Sequence, residues 1–496
     1  MKEEKTSHKG ILRATSIVGG SQIIVILIGL IRTKFIAVLL GPAGIGINGI
    51  LQNTVDLVRQ ATSFGINFSG VKDIAAANAT QDQIKIGRTI TVLRRWALYT
   101  GLLGMLMTII LSLPLSYFAF DSDKYVISIA VISVTLLISS ISSGQIALLQ
   151  GLRQIGTMAR VSVLSAGASV IVTIPLYWWL GLKGIVPGII ISSVISLLIS
   201  YLFTYKVKII RPNISLKQTY MEGLNMARLG FYIIVTGLVV TITMYAIRSI
   251  IAQKLDLNAV GCFVAVWTIS NTYVNIILSS MLSDFFPRLT AVESLKDNLK
   301  SNLLINEQLD MALVIATPLI IFLIAFAKFV IKIMFSSSFL LAVPVLQYQL
   351  LAGFIAIISW ALGVMFLVKN KGMYSLYTES IWSIIYLLFV WFFWDALGFI
   401  SLGVGCLVAH VVKLGLVYII TKKLGNFNFN REIFKTILTY SLLVIIIFFN
   451  VIFLQGFLQY FFSSLIIIIS LILSFNKISK IIDLKMIINN KLKKNL

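Results

Sequence analysis

The chain has 496 residues, of which 58% are hydrophobic and only 12% are charged. Soluble domains carry about 25% charged residues and cannot bury so much apolar surface in water, so this composition excludes a soluble protein and indicates an integral membrane protein. Lys and Arg number 41 against 18 Asp and Glu, a formal charge of +23, which in a membrane protein marks cytoplasmic loops rather than a nucleic-acid partner.

Apolar runs of span length follow one another along the whole chain. A bilayer crossing needs about 20 mostly apolar residues. Fourteen runs meet that length, but the last two are separated only by Gln455 and Gly456 and could be divided differently, so twelve to fourteen spans are expected. They are predicted near 15–40, 44–65, 89–118, 125–149, 159–180, 185–205, 229–253, 261–286, 309–335, 345–368, 373–396, 402–422, 433–454 and 457–475. The gaps leave no room for an appended catalytic domain of about 100 residues.

Basic residues alternate between the predicted loops. The loops at 66–88 and 206–228 and the tail at 476–496 are rich in Lys and Arg, whereas the loop at 119–124 carries two aspartates. Positive residues gather on the cytoplasmic side of membrane proteins. Both termini are therefore predicted to be cytoplasmic.

A short repeat divides the chain into two sets of six spans. An Ile-Arg pair ending at Arg32 is followed by Gly46, and another ending at Arg248, about 215 residues later, is followed by Gly261. Because six spans separate the copies, the two sets have the same orientation and are related by an axis along the membrane normal. The predicted organisation is a cytoplasmic N-terminus at 1–14, an N-terminal six-helix lobe at 15–205, a cytoplasmic linker at 206–228, a C-terminal six-helix lobe at 229–422, two additional transmembrane helices at 433–475 and a basic cytoplasmic tail at 476–496.

Five ionisable residues in or at the ends of predicted spans are candidates for a functional site, namely Arg32, Asp56, Arg59, Arg248 and Arg288. Charges at membrane depth are costly and usually face a partner or a watery cavity. Asp56 and Arg59 lie three residues apart on one helix face, where they form either an ion pair, for coupling or for structure, or part of a cavity lining. Arginine presents a fork of donors suited to phosphate. The four arginines therefore predict a cavity for an anionic ligand.

Uncharged polar residues accompany these charges. Gln52 and Asn53 extend the polar face of Asp56, and Asn271 and Asn275 lie on the eighth span. As polar cavity lining they suit sugar hydroxyls, and hydrogen bonding between helices is an equally good explanation.

The sequence lacks the usual motifs of catalytic sites and of metal sites. Cys262 and Cys406 lie in apolar runs, and His8 and His410 are far apart without ligand-like neighbours, so neither a metal site nor a catalytic set is predicted. There is also no phosphate-binding loop for ATP. These observations predict a secondary-type transporter that is not an enzyme and has no resident cofactor.

The segment from Ile31-Arg32 through LGPAGIG at 40–46 to FGI at 64–66 resembles a known family. It is similar to the polysaccharide-transport branch of the multidrug/oligosaccharidyl-lipid/polysaccharide (MOP) exporter superfamily, specifically to Wzx-type O-antigen flippases. Span number, basic loops and paired lobes extend the resemblance over essentially the whole chain. The glycine-rich run itself predicts a tight bend between the first two spans.

The resemblance implies both a fold and a function. The fold is an all-α polytopic membrane protein with two pseudo-symmetric six-helix bundles in a MATE-like V shape plus two C-terminal helices. The function is to move an undecaprenyl-pyrophosphate-linked oligosaccharide, such as an O-antigen unit of lipopolysaccharide or another surface polysaccharide repeat unit, from the cytoplasmic to the periplasmic leaflet of the bacterial inner membrane by alternating access. Family members carry basic residues in the first, second, seventh and eighth spans, the spans that hold Arg32, Arg59, Arg248 and Arg288 here.

The resemblance also implies partners and a source of energy. The expected partners are the lipid-linked glycan, anionic membrane lipids, a polysaccharide polymerase and a chain-length regulator, with no nucleic acid. Transport in the superfamily is coupled to a proton or sodium gradient or to the membrane potential, and Asp56 is the carboxylate best placed for such coupling.

Two alternatives remain open at the level of sequence. A MATE-like multidrug exporter would have the same fold, but a cationic drug would favour carboxylates over four arginines. A non-transporting scaffold for polysaccharide assembly enzymes would use the basic tail at 476–496 for attachment, a segment that equally suits anionic lipid surfaces.

Overall fold

The computed structural model describes residues 2–79, 82–152, 154–205, 207, 212–229, 231–295, 297–369 and 371–481. Within these ranges the regular elements are all helices, which confirms the predicted all-α class. Most of the predicted basic tail lies outside the described residues.

The helices follow one another with short connections. They are α1 (Lys2–Thr62), α2 (Ile66–Ala79), α3 (Gln83–Ile110), α4 (Ser112–Phe120), α5 (Val126–Ile132), α6 (Val134–Gly151), α7 (Ile155–Leu180), α8 (Ile185–Thr204), α9 (Leu216–Leu229), α10 (Phe231–Lys254), α11 (Leu257–Ser294), α12 (Asn298–Ala325), α13 (Ala327–Met334), α14 (Val343–Val368), α15 (Gly372–Leu397), α16 (Ser401–Gly425), α17 (Arg431–Phe453) and α18 (Gly456–Ile481).

The described residues contain nine helical segments long and apolar enough to cross a membrane, or ten if the bent pair α3–α4 is one span. Three of these segments are 43, 50 and 54 residues long, about twice the length of one crossing. Two of them contain two helices each, α7 with α8 and α15 with α16, and the third is α1, which is broken at Gly41. Dividing these three gives the polytopic arrangement that the hydropathy pattern predicts.

The break in α1 lies in the glycine-rich run of the sequence. Gly41 has φ 66° and ψ −170°, and Pro42 follows it. A positive φ favours glycine, and proline lacks the N–H that would continue the helical hydrogen bonds. The tight bend predicted between the first two spans is therefore a kink at a single residue.

The described residues form two compact units. Unit 1 extends to Val264 and includes Met334–Ser338, and unit 2 consists of Ala265–Ile333 and the chain from Phe339 onward. Unit 1 thus contains α10 and the beginning of α11 as well as the first six predicted spans. Helix α10 packs on α1 and α4 within unit 1, and the predicted linker at 206–228 stays a prediction. The pseudo-symmetric pair of six-helix lobes stays a prediction.

Two apolar clusters hold unit 1 together. In the first, Ile74 of α2, Leu93 of α3 and Leu148 of α6 are completely buried. In the second, Leu51 of α1 packs with Ile129 of α5 and Ile185 of α8. The second half of α1 is therefore fixed against α5 and α8, and its polar residues have a defined position.

Helix α9, in the predicted linker, is fixed to α3. The indole nitrogen of Trp96 donates a hydrogen bond to the carbonyl of Thr219 at 2.8 Å, and Arg95 donates to the hydroxyl of Thr219 at 2.7 Å. Arg88 forms an ion pair with Glu222. Gly223 lies against the indole ring so closely that a Cβ there would be 1.7 Å from the Trp96 nitrogen.

We expect Gly223→Ala to loosen α9 from unit 1, because Trp96 must move and its hydrogen bond to Thr219 is lost. The cost is about 1–3 kcal/mol, measured as a lower thermal midpoint and faster proteolysis next to α9, at 212–215. Gly156→Ala on α7 is the control, since a Cβ there meets no atom within 4 Å. Equal proteolysis of the two variants would contradict the role of this contact.

Candidate functional site

The polar face of the second half of α1 carries the ion pair suggested by the sequence. Arg59 donates to the carboxylate of Asp56 at 2.6 Å, and the two side chains are 49% and 43% exposed. The helical repeat alone places them together, because residues three apart share one face. The pair can therefore exchange partners with an incoming anion without unfolding its helix.

Arg248 of α10 lies next to this pair. It is 9% exposed, and its guanidinium donates a hydrogen bond to the backbone carbonyl of Gly49 at 2.8 Å. Its charge acts on Asp56 together with that of Arg59. The Nε of Arg248 has no hydrogen-bond partner among the described residues. Two guanidinium groups thus act on one carboxylate, Arg59 through an ion pair and Arg248 through its charge, so this part of unit 1 carries a net positive charge.

Uncharged groups join α1, α4 and α10 around these charges. The amide of Asn53 donates to the carbonyl of Thr241 at 3.3 Å. The hydroxyl of Tyr245 lies 3.4 Å from that of Thr54 and donates to the carbonyl of Leu115 at 3.1 Å. We call Asn53, Asp56, Arg59, Tyr245 and Arg248 the Asp56 cluster. Tyr245 is absent from the candidates drawn from sequence, although its position three residues before Arg248 places it on the same helix face.

Arg32 occupies a different environment in unit 1. It lies on the first half of α1, with Nη2 3.4 Å from the hydroxyl of Tyr177 on α7 and 3.5 Å from that of Ser192 on α8. Its Nε is buried and has no partner among the described residues. Arg32 therefore keeps donor capacity for an anion, beside two hydroxyl groups that sequence spacing did not indicate.

The other predicted site residues are not members of the Asp56 cluster. Gln52 is half-buried on α1. Arg288 is exposed on α11 in unit 2. Asn271, also in unit 2, donates a hydrogen bond to the carbonyl of Trp267 at 3.1 Å. This bond lies within one helix and does not join two helices. The side chain of Asn275 lies outside the described residues.

One cavity among the described residues is lined by residues other than the predicted site residues. A cavity of about 510 Å³ lies between α3, α6 and α8, where Arg94, Gln145 and Tyr201 join an otherwise mainly apolar lining. Among the described residues, no group of three or more His, Cys, Asp or Glu side chains could hold a metal ion. The guanidinium groups of the Asp56 cluster offer charge-assisted hydrogen bonds, which suit phosphate oxygens.

Solved structures with a similar fold are transporters and a flippase. A multidrug resistance MATE family transporter of the MOP superfamily, in an inward-facing conformation, has a TM-score of 0.69 and 17% identity, covering 81% of this chain and 95% of its own. A MOP superfamily transporter from Pyrococcus furiosus, whose binding pocket is described as having reverse polarity, has a TM-score of 0.60 and 17% identity over 84% and 96% of the two chains. The lipid II flippase MurJ, in an inward closed conformation, has a TM-score of 0.64 and 13% identity over 93% and 98%.

These likenesses establish the MOP-type fold. No curated protein sequence matches the chain. Residues 35–344 match the family described as "Polysaccharide biosynthesis protein", a stretch that includes Asp56, Arg59 and Arg248. Since this match covers more than half of the 496 residues, the chain belongs to the polysaccharide biosynthesis protein family and has the fold of the MOP-type structures.

Proposed function

We propose that this protein is a flippase for an undecaprenyl-pyrophosphate-linked oligosaccharide, an O-antigen or other surface polysaccharide repeat unit. It moves this substrate from the cytoplasmic to the periplasmic leaflet of the bacterial inner membrane by alternating access through a cationic central cavity. Both termini are cytoplasmic in this proposal, and no bond of the substrate is made or broken.

The observation that carries the proposal is the Asp56 cluster. Arg59 is ion-paired with Asp56, the charge of Arg248 also acts on this carboxylate, and Arg248 is 9% exposed within a helix long and apolar enough to span a membrane. Such charges at membrane depth are retained for function. Membership in a polysaccharide biosynthesis family supports a glycan substrate, and the similarity to a lipid II flippase supports a lipid-linked one.

The geometry suggests how the substrate is held. A pyrophosphate offers oxygen atoms to Arg59 and Arg248, and it competes with Asp56 for them. Gln52, half-buried on α1, supplies its amide group to the sugars, while the polyprenyl chain stays in the lipid. Asp56 balances the arginines when substrate is absent, so the site does not hold unpaired cations in the membrane.

The proposal is tested by reconstituting the protein in liposomes with a fluorescent undecaprenyl-pyrophosphate oligosaccharide and measuring when the label becomes accessible to an external quencher. We expect Arg32→Ala and Arg59→Ala each to slow this exchange roughly tenfold, the loss of about one charge-assisted hydrogen bond. Lysine at either position should restore part of the rate if charge alone matters and little if the planar fork is needed. Wild-type rates in both alanine variants, at equal amounts of folded protein, would disprove the cationic mechanism.

A multidrug exporter is the second candidate, because the MATE transporter has the higher TM-score of 0.69. In that case the same liposomes would exchange a cationic dye against protons or sodium and leave the lipid-linked glycan in place. Transport of the dye without glycan exchange would therefore replace the flippase proposal.

A further inference from the structure

A second group of charges lies in unit 2, between α15 and α16. Lys413 of α16 forms an ion pair with Glu379 of α15, and the two side chains are 15% and 27% exposed. Both residues fall within predicted spans, at 402–422 and 373–396, and neither is among the candidates drawn from sequence. Charges at such a depth are usually functional.

Three polar atoms in the same place have no hydrogen-bond partner among the described residues. They are the indole nitrogen of Trp382, the hydroxyl of Ser383 and Nδ1 of His410. Trp382 and Ser383 are each 3% exposed. Buried polar atoms in native proteins are almost always satisfied, and inside a bilayer the need is stronger. These atoms therefore indicate a site for a small polar species.

The two helix faces bring these atoms to one location. Trp382 lies three residues after Glu379 on α15, and His410 lies three residues before Lys413 on α16, so each pair shares a helix face. The rings of Trp382 and His410 are 5.4 Å apart between centroids. The charge of Lys413 also acts on His410. We call Glu379, Trp382, Ser383, His410 and Lys413 the α15–α16 seam.

The surroundings add little charge to the seam. Tyr386 and Cys406 lie further along the same two helices and interact electrostatically with each other. Tyr386 donates to the carbonyl of Leu402 at 3.0 Å. Helix α14, which packs on both α15 and α16, contains no Asp, Glu, Lys, Arg or His. On α12, which touches α16, Asp310 is paired with Lys477.

We propose that the α15–α16 seam is a proton-binding switch. A proton arriving from water adds to the carboxylate of Glu379 and breaks its pairing with Lys413. The ammonium of Lys413, which keeps its own protons, then donates a hydrogen bond to Nδ1 of His410, one turn earlier on α16. When Glu379 releases the proton to water, Lys413 returns to the carboxylate. The net charge of the seam thus alternates between zero and +1.

The coupling of proton binding to transport rests on the proposed function, whereas proton binding by the seam does not. The seam would couple movement between inward- and outward-open states to a proton gradient, in place of Asp56, which already has two arginine neighbours. Proton binding itself is measurable without substrate.

The same unit provides a matched control. Glu293 pairs with Lys369, with side chains 14% and 16% exposed, and its second carboxylate oxygen accepts a hydrogen bond from Ser301 at 3.0 Å. None of the unpartnered buried atoms belongs to these three described residues. Glu293→Gln therefore makes the same chemical change as Glu379→Gln, in an ion pair whose groups are satisfied.

Infrared difference spectroscopy of the purified full-length protein, recorded across a pH step, tests proton binding directly. We expect the carboxylic acid absorption that appears at low pH to contain one component that is present in wild type and in Glu293→Gln, is lost in Glu379→Gln, and shifts in His410→Phe. If Glu379→Gln does not fold, the double variant Glu379→Gln, Lys413→Met leaves no unpaired charge and serves in its place. Identical carboxylic acid absorption in wild type and in the Glu379→Gln protein would overturn the proposal.

Coupling is then measured in the liposome exchange assay with and without an imposed pH gradient. We expect the gradient to accelerate exchange in wild type and Glu293→Gln, and the ratio of the two rates to fall to one in Glu379→Gln while exchange without a gradient persists. An unchanged ratio in Glu379→Gln would overturn the coupling role. Absence of glycan exchange in wild type under every gradient would instead count against the flippase, with the infrared result still deciding proton binding.

Discussion

Arg248→Ala is expected to reduce glycan exchange roughly 10- to 100-fold, because a hydrogen bond to a charged group is worth about 1.5–3 kcal/mol. Arg248 is 9% exposed, its guanidinium donates to the Gly49 carbonyl, and its charge acts on Asp56 together with that of Arg59. Its removal takes one of two donors away from the incoming pyrophosphate. It also leaves Asp56 with Arg59 as its remaining arginine neighbour in the Asp56 cluster, which favours the ion pair over the substrate.

The measurement is the liposome quenching rate, normalised to folded protein by fluorescence-detected size-exclusion chromatography. Arg248→Lys keeps the charge and is expected to retain an intermediate rate. Arg160→Ala, on an exposed part of α7, removes a positive charge elsewhere in unit 1 and should leave the rate unchanged. If Arg248→Ala and Arg160→Ala transport equally well, Arg248 does not bind the substrate.

Gly261→Ala is expected to give the largest loss of stability. A Cβ at this position would lie 1.8 Å from the carbonyl oxygen of Pro42, and one at Gly46 would lie 2.2 Å from the carbonyl oxygen of Leu257. Both contacts are to backbone, so no side chain can rotate away, and the start of α11 must separate from α1. Overpacking of this kind costs about 1–3 kcal/mol or more.

This loss is measured as a lower thermal midpoint of the detergent-solubilised protein and a smaller folded fraction on expression. Gly167→Ala on α7 is the control, since a Cβ there meets no atom within 4 Å. It should be neutral or slightly stabilising, because glycine inside a helix costs about 0.5–1 kcal/mol relative to alanine. Similar midpoints for the two variants would show that the close approach of α1 and α11 is not required.

Gly46 and Gly261 also show what the repeat in the sequence predicts and what it does not. Gly46 and Gly261 were matched only as equivalent positions following Arg32 and Arg248. In the structure the Gly46 Cβ position lies 3.0 Å from the backbone nitrogen of Gly261, so the equivalent residues touch each other within unit 1. The arginines that precede them differ, since Arg32 meets two hydroxyl groups and Arg248 a backbone carbonyl. A repeat predicts equivalent positions along the chain but not equivalent partners.

The sequence by itself indicated the membrane class, the all-α fold, a tight bend in the glycine-rich run at 41–46, and Asp56 and Arg59 on one helix face. Each of these depends on local properties: about 20 apolar residues span a bilayer, backbone groups in lipid must be satisfied within a helix, and residues three apart share a face. The tertiary structure alone decided that α10 packs in unit 1 with Arg248 donating to the Gly49 carbonyl, and that Glu379 meets Lys413 beside polar atoms that have no partner among the described residues. Those contacts join residues 34 to 199 positions apart, and they depend on how helix surfaces fit together, which residue type and spacing do not specify.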